Sequence, residues 1–177
     1  MPRMFGYYDQ SRANWTEDER REVRSLLIFL AESCADDTNL PDQSMLAGHP
    51  NFINDVKQTL TLACAVFPNH PRAKIWRDSF MEYFDEFMDV YQRKDDLEHN
   101  AVGGRWTENV ACYSGTALIA LLHERQSLML FDGTDLFADP RVHSWIRWYR
   151  DIMSSPHDGE RYVPPEGAHA TSFEPGD

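Results

Sequence analysis

The chain has 177 residues, 42% of them hydrophobic and 12% aromatic, which is enough for one domain with a real core and excludes a disordered chain. Its formal charge of −12 excludes a nucleic-acid partner and would also repel a polyanionic sugar unless the site itself is locally basic. Met1–Gln10 lacks the apolar core of a signal peptide, and the longest apolar run, Leu26–Ala31, is too short to span a membrane.

Five helices are expected. Thr16-Glu17-Asp18-Glu19 reads as a capping box, and Val23, Leu26, Leu27, Leu30 and Cys34 follow at helical spacing, giving a first helix over about Glu17–Ala35. A polar loop over Asp36–Gly48 leads to a second helix, from near Asn51 to Phe67, with Phe52, Val56, Leu60, Ala63 and Phe67 as its apolar stripe. Pro68-Asn69-His70-Pro71 breaks the chain, and Pro71 suits the first turn of a third helix running to about Arg93. Ile75, Trp76, Phe80, Tyr83, Phe84, Phe87, Met88 and Tyr91 form the aromatic core face of that helix. Lys94–Gly104 is a polar connection. A fourth helix spans about Asn109–Leu130 and buries Ala117, Leu118, Leu121 and Leu122. Asp139-Pro140 supplies a cap and first-turn proline for a fifth helix to about Ser154, carrying Val142, Trp145, Ile146, Tyr149 and Ile152. The rest, 155–177, is rich in proline, glycine and charge and reads as an irregular loop without strands. The expected class is all-α: one helical domain over 1–177, built from antiparallel helical hairpins. Cys34, Cys64 and Cys112 form no metal-ligand pattern, and Cys34 and Cys64 fall on apolar helix faces as buried thiols.

Three polar clusters stand at loops. They are Gly48-His49-Pro50-Asn51-Phe52, Gly103-Gly104-Arg105-Trp106-Thr107-Glu108-Asn109 with Tyr113, and Pro164-Pro165-Glu166-Gly167-Ala168-His169. Short breaks between long helices favour antiparallel neighbours, so the second and fourth helices should start at one end. His49 and Asn51, Arg105, Glu108 and Tyr113, and Arg161 and His169 would then share a rim. Helix starts offer free N–H groups and a positive dipole end, which favour an anion such as a sugar carboxylate. Trp106 adds a flat face for a sugar ring, and Gly103 and Gly104 permit close backbone approach.

These loops resemble those of the heparinase II/III-like polysaccharide lyases, built on an incomplete (α/α) toroid. The matching pieces are Met45–Phe52, Gly104–Asn109 with Tyr113, and Asp158–Gly167, within about residues 40–177. The family commonly has an adjacent Asn-His pair on the first loop, where this chain has His49-Pro50-Asn51. The family toroid has more helices and is followed by β-rich domains, so the chain is expected to be a truncated piece of a larger protein. The resemblance implies β-elimination on an acidic polysaccharide or oligosaccharide, no cofactor, and a periplasmic or secreted setting; some relatives hold a structural metal, but this chain shows no ligand set for one.

That chemistry needs the uronate carboxylate neutralised, a base for the C5 proton and an acid for the leaving oxygen. The resemblance makes Tyr113 the acid, in some relatives the base as well, with His49 or His169 a second proton carrier, and Asn51, His49 or Arg105 the neutralising group. Arg105, Trp106, Glu108, Asn109 and Arg161 would bind substrate, Glu108 by orienting Arg105 or a sugar hydroxyl. Plainer roles stand beside these. Tyr113 can be a packed surface tyrosine, Glu108 a capping acid, His49 an ordinary loop residue and Arg161 a solvated charge. His70, His99, His123, His143 and His157 have no partner pattern and read as structural or exposed. Two other functions compete: a glycoside hydrolase using Glu108 with Asp55 or Glu166, and a helical carbohydrate-binding module without turnover.

Overall fold

The computed structural model describes residues 3–36, 50–92, 113, 115–163 and 174–175. Six α-helices lie among the described residues: α1 (Arg3–Ser11), α2 (Glu17–Ala35), α3 (Pro50–Val66), α4 (Ala73–Gln92), α5 (Gly115–Phe131) and α6 (Pro140–Ile152). Single 3-10 turns at Arg12–Asn14 and Leu136–Ala138 precede α2 and α6. Two-residue strands, β1 (Tyr162–Val163) and β2 (Glu174–Pro175), pair antiparallel in the segment expected to be irregular. They are too short to change the class, which is all-α.

Local chemistry sets the helix starts. Thr16 accepts from the Glu19 amide while the Glu19 carboxylate takes the Thr16 amide at 2.8 Å, completing the capping box of α2. Asp139 accepts from the Arg141 amide at 2.8 Å and Pro140 opens α6. The third expected helix begins at Ala73 rather than Pro71, because Pro71 and Arg72 complete the turn after α3. Helix α1 was not anticipated. Its Phe5 and Tyr8 are buried against Phe67, with ring centroids 6.3 and 5.7 Å away.

Side-chain bonds fix the helix directions. Asn54 on α3 donates to the Ala117 carbonyl on α5 at 3.4 Å, and Gln58 to the Ala120 carbonyl at 3.2 Å. Both numbers rise together, so α3 and α5 are parallel. Across α3 and α4, Tyr83 donates to Asn54 Oδ1 at 3.1 Å, Lys57 reaches Ser79 Oγ at 3.4 Å and the Cys64 thiol meets the Ala73 carbonyl at 3.2 Å. Those numbers run oppositely, so this pair is antiparallel. Helix α6 runs back toward the start of α5 while packing on α4: Arg125 of α5 forks onto Asp135 ahead of α6, the Tyr149 hydroxyl lies 3.8 Å from where a Cβ on Gly115 would sit, and Arg141 of α6 pairs with Asp85 and Asp89 of α4. Helix α2 lies against both α3 and α4, with Arg24 over the Phe67 ring and Glu32 bound to Arg72 and Trp76.

The core is aromatic along α4, where Trp76, Phe80, Tyr83, Phe84 and Phe87 are buried and Phe87 meets Trp145 of α6 edge-on. Several expected core positions are instead exposed: Leu26, Phe52, Ile75, Leu122 and Ile146. Each flanks the buried stripe of its helix on the side where no described element covers it. Helix α3 shows the reason best. Neighbours α2, α4 and α5 cover so much of it that Asn51, Asn54, Lys57, Gln58, Thr59 and Thr61 are all buried, while Phe52 is 55% exposed. Cys34 and Cys64 are buried free thiols, and burial pushes the Cys64 thiol up to about 12. Among the described residues no helix is long and apolar enough to cross a membrane.

Candidate functional site

The seam between α3 and α5 builds the described part of the site. Asn51, Asn54 and Gln58 recur at helical spacing along one side of α3. Asn54 and Gln58 reach across to α5, and the amide of Gln58 also meets His123 Nδ1 at 3.4 Å. Asn54 uses both ends of its amide, since its carbonyl oxygen takes the Tyr83 hydroxyl as its NH2 group donates to α5. These contacts hold the two helix starts side by side at one end of the bundle.

Asn51, in the first turn of α3, is 8% exposed, and Tyr113, two residues before α5, is half-buried against the main core. The segment after α6 comes to the same end. Val163 packs on Tyr149, with Leu118 of the first turn of α5 beside them. Arg161 precedes it, exposed, and its guanidinium donates to the Ser154 carbonyl at 3.1 Å. That bond, with the Tyr162 amide on Ser154 Oγ at 3.0 Å, folds the segment back on the end of α6. The turn His157-Asp158-Gly159-Glu160 closes it, with Asp158 and Gly159 both at positive φ.

Of the candidate catalytic and binding residues, Asn51, Tyr113 and Arg161 are thus described and belong to one end. His49, His169, Arg105, Trp106, Glu108 and Asn109 lie outside the described residues. For the hydrolase alternative, Asp55 is exposed on α3, and Glu108 and Glu166 lie outside. Among the described residues no group of three or more His, Cys, Asp or Glu is placed to hold a metal ion.

Sequence reasoning missed the buried polar seam. Asn54 and Gln58 attracted no notice because they interrupt no apolar stripe. Glu124 also escaped, although its spacing from Ala117, Leu121 and Leu128 puts a carboxyl on the inward face of α5. A polar residue in register with an apolar stripe is the signal that would have found it. His70 has a structural place, stacked on Trp76 with centroids 4.8 Å apart.

Comparison with family models, with curated proteins and with solved structures gives no match for this chain.

Proposed function

We propose that this chain is the helical part of a polysaccharide lyase that cleaves a uronic-acid-containing polysaccharide by β-elimination. The reading rests on one observation. Two parallel helices, tied by Asn54 and Gln58, start at the same end, so Asn51 and Tyr113 stand at neighbouring helix starts although far apart along the chain. An amide and a phenol so placed suit the first needs of the reaction. Asn51 offers a donor to the uronate carboxylate, and the free amides of the helix starts favour the same negative charge. The proton on C5 leaves to a base, the C4–O bond breaks, a C4=C5 double bond forms, and the departing glycosidic oxygen takes a proton from the Tyr113 hydroxyl. Removal of the C5 proton falls to Tyr113 in its ionised form or to a histidine, His49 or His169. Arg161 is a positive charge at that end among the described residues, and the reading calls on Arg105 as a second to offset the acidic surface.

The test is turnover of uronate polysaccharides followed by the ultraviolet absorbance of the unsaturated product, with the chain and its Tyr113→Phe variant. The lyase reading expects absorbance to grow with the native chain and the rate to drop by about 100-fold or more in the variant, the usual loss on removing a general acid. New reducing ends without that absorbance would establish the hydrolase instead. Binding with no product of either kind would make the chain a carbohydrate-binding module.

A further inference from the structure

Glu124 stands on the inward face of α5 with Ala117, Leu121 and Leu128. It is 1% exposed, and its Oε1 has no hydrogen-bond partner. Native interiors rarely leave a buried carboxyl oxygen unanswered, so each such group calls for a physical reason. The register of the α3–α5 seam, in which Asn54 meets Ala117 and Gln58 meets Ala120, puts Glu124 one turn further along the same pair of helices.

The surrounding charges are committed elsewhere. On α3 the charged residues are Asp55, which is exposed, and Lys57, which reaches Ser79. On α5, His123 meets Gln58 and Arg125 is forked onto Asp135. On α4, Lys74 pairs with Asp78, Arg77 binds Asp132 and Thr134, Asp85 and Asp89 take Arg141, and Glu82 and Glu86 are exposed. On α6, Arg141 is also held by Asp139, Arg150 pairs with Asp151, and His143 and Arg147 are exposed. On α2, Glu32 is bound to Arg72. With no counter-charge beside it among the described residues, a carboxylate at this position is far costlier than a carboxylic acid.

We propose that Glu124 is a pH-operated latch on the α3–α5 seam. Uncharged, it lets the two helices lie side by side; on losing its proton it draws water between them and loosens the end that carries Asn51 and Tyr113. The latch is independent of any reaction at that end. Burial holds the carboxyl well above the usual carboxylate range. The folded chain therefore keeps a proton that the unfolded chain releases. Stability conferred by the seam falls as pH rises above the ordinary glutamate value of about 4.3, and the full penalty is reached once the folded carboxyl itself ionises.

Infrared difference spectra and amide hydrogen exchange of the full chain, against its Glu124→Gln variant, test this. Glutamine mimics the neutral acid in shape and cannot ionise. The expected result is a protonated-carboxyl C=O band at neutral pH that the variant lacks. Between the ordinary glutamate value and the pH at which that band titrates away, amides around Asn54–Gln58 and Ala117–Leu121 should open in the native chain by on the order of tenfold per pH unit relative to the variant, and the difference should level off once the band is gone. A native spectrum without such a band at neutral pH, or identical exchange profiles in both proteins, would overturn the proposal. Should the glutamine variant not fold, Glu124→Leu supplies the reference. The band in the native chain, or its absence, still decides.

Discussion

At the scale of single residues, polar groups set the register of this bundle. Asn54 spends its carbonyl oxygen on Tyr83 and its amide on Ala117, so one side chain ties α3 to two neighbours. At the opposite end Glu32 ties α2 to α4 and to the turn just before it. Its carboxylate takes a bidentate bond from Arg72, at 2.9 and 2.6 Å, and the buried Trp76 indole at 2.8 Å. The Arg72 hydrogen bonds hold the Glu32 carboxyl below its usual range. A depressed acid adds stability that is present above its unfolded value and lost as pH falls through its folded value. Glu32→Gln should therefore flatten the acid limb of a melting-temperature-against-pH curve and leave its alkaline limb alone; an unchanged acid limb would show that the pair contributes nothing. None of these partners was legible from sequence, because Glu32 and Arg72 are far apart in the chain and each reads alone as a solvated charge. Cys34 and Cys64 were legible, since an apolar helix face decides a small sulfur's burial directly.

At the scale of elements, helix type and number of the long helices followed from spacing and caps. The capping box at Thr16 and the Asp139-Pro140 start lie where the residues put them, because those signals are local. The burial of each face was less legible. Phe52 and Leu122 hold apolar positions and face outward, while Asn51 and Gln58 are buried, because the arrangement of neighbours, not helix period, decides which side is covered. Helix α1 escaped for a related reason. Its sequence has Gly6 at its middle and only nine residues, and its stability comes from Phe5 and Tyr8 seated on Phe67. Phe5→Ala should cost about 3 kcal/mol in chemical denaturation and release α1, seen as faster amide exchange confined to residues 3–11. A loss below about 0.5 kcal/mol, the size of an ordinary surface change, would mean that α1 is merely laid on the bundle.

At the scale of the whole molecule, the all-α class was legible from composition and periodicity, while the arrangement expected of a toroid depends on more helices than are described here. The candidate site divides the same way. Alternating helix direction is a rule of connection length, so a shared end for α3 and α5 could be expected from short breaks alone. Which side chains converge there depends on loops whose residues, His49, Arg105, Trp106, Glu108 and Asn109 among them, lie outside the described part. The functional reading stands or falls with that shared end. Spin labels at the exposed positions Phe52, Thr116 and Leu130 measure it directly. With a rise of about 1.5 Å per residue, positions 116 and 130 stand about 20 Å apart along α5. Parallel helices make the 52–116 distance the shorter of the two from position 52, by on the order of 10 Å. If 52–130 proves the shorter, α3 and α5 run in opposite directions, and Asn51 and Tyr113 belong to opposite ends of the bundle.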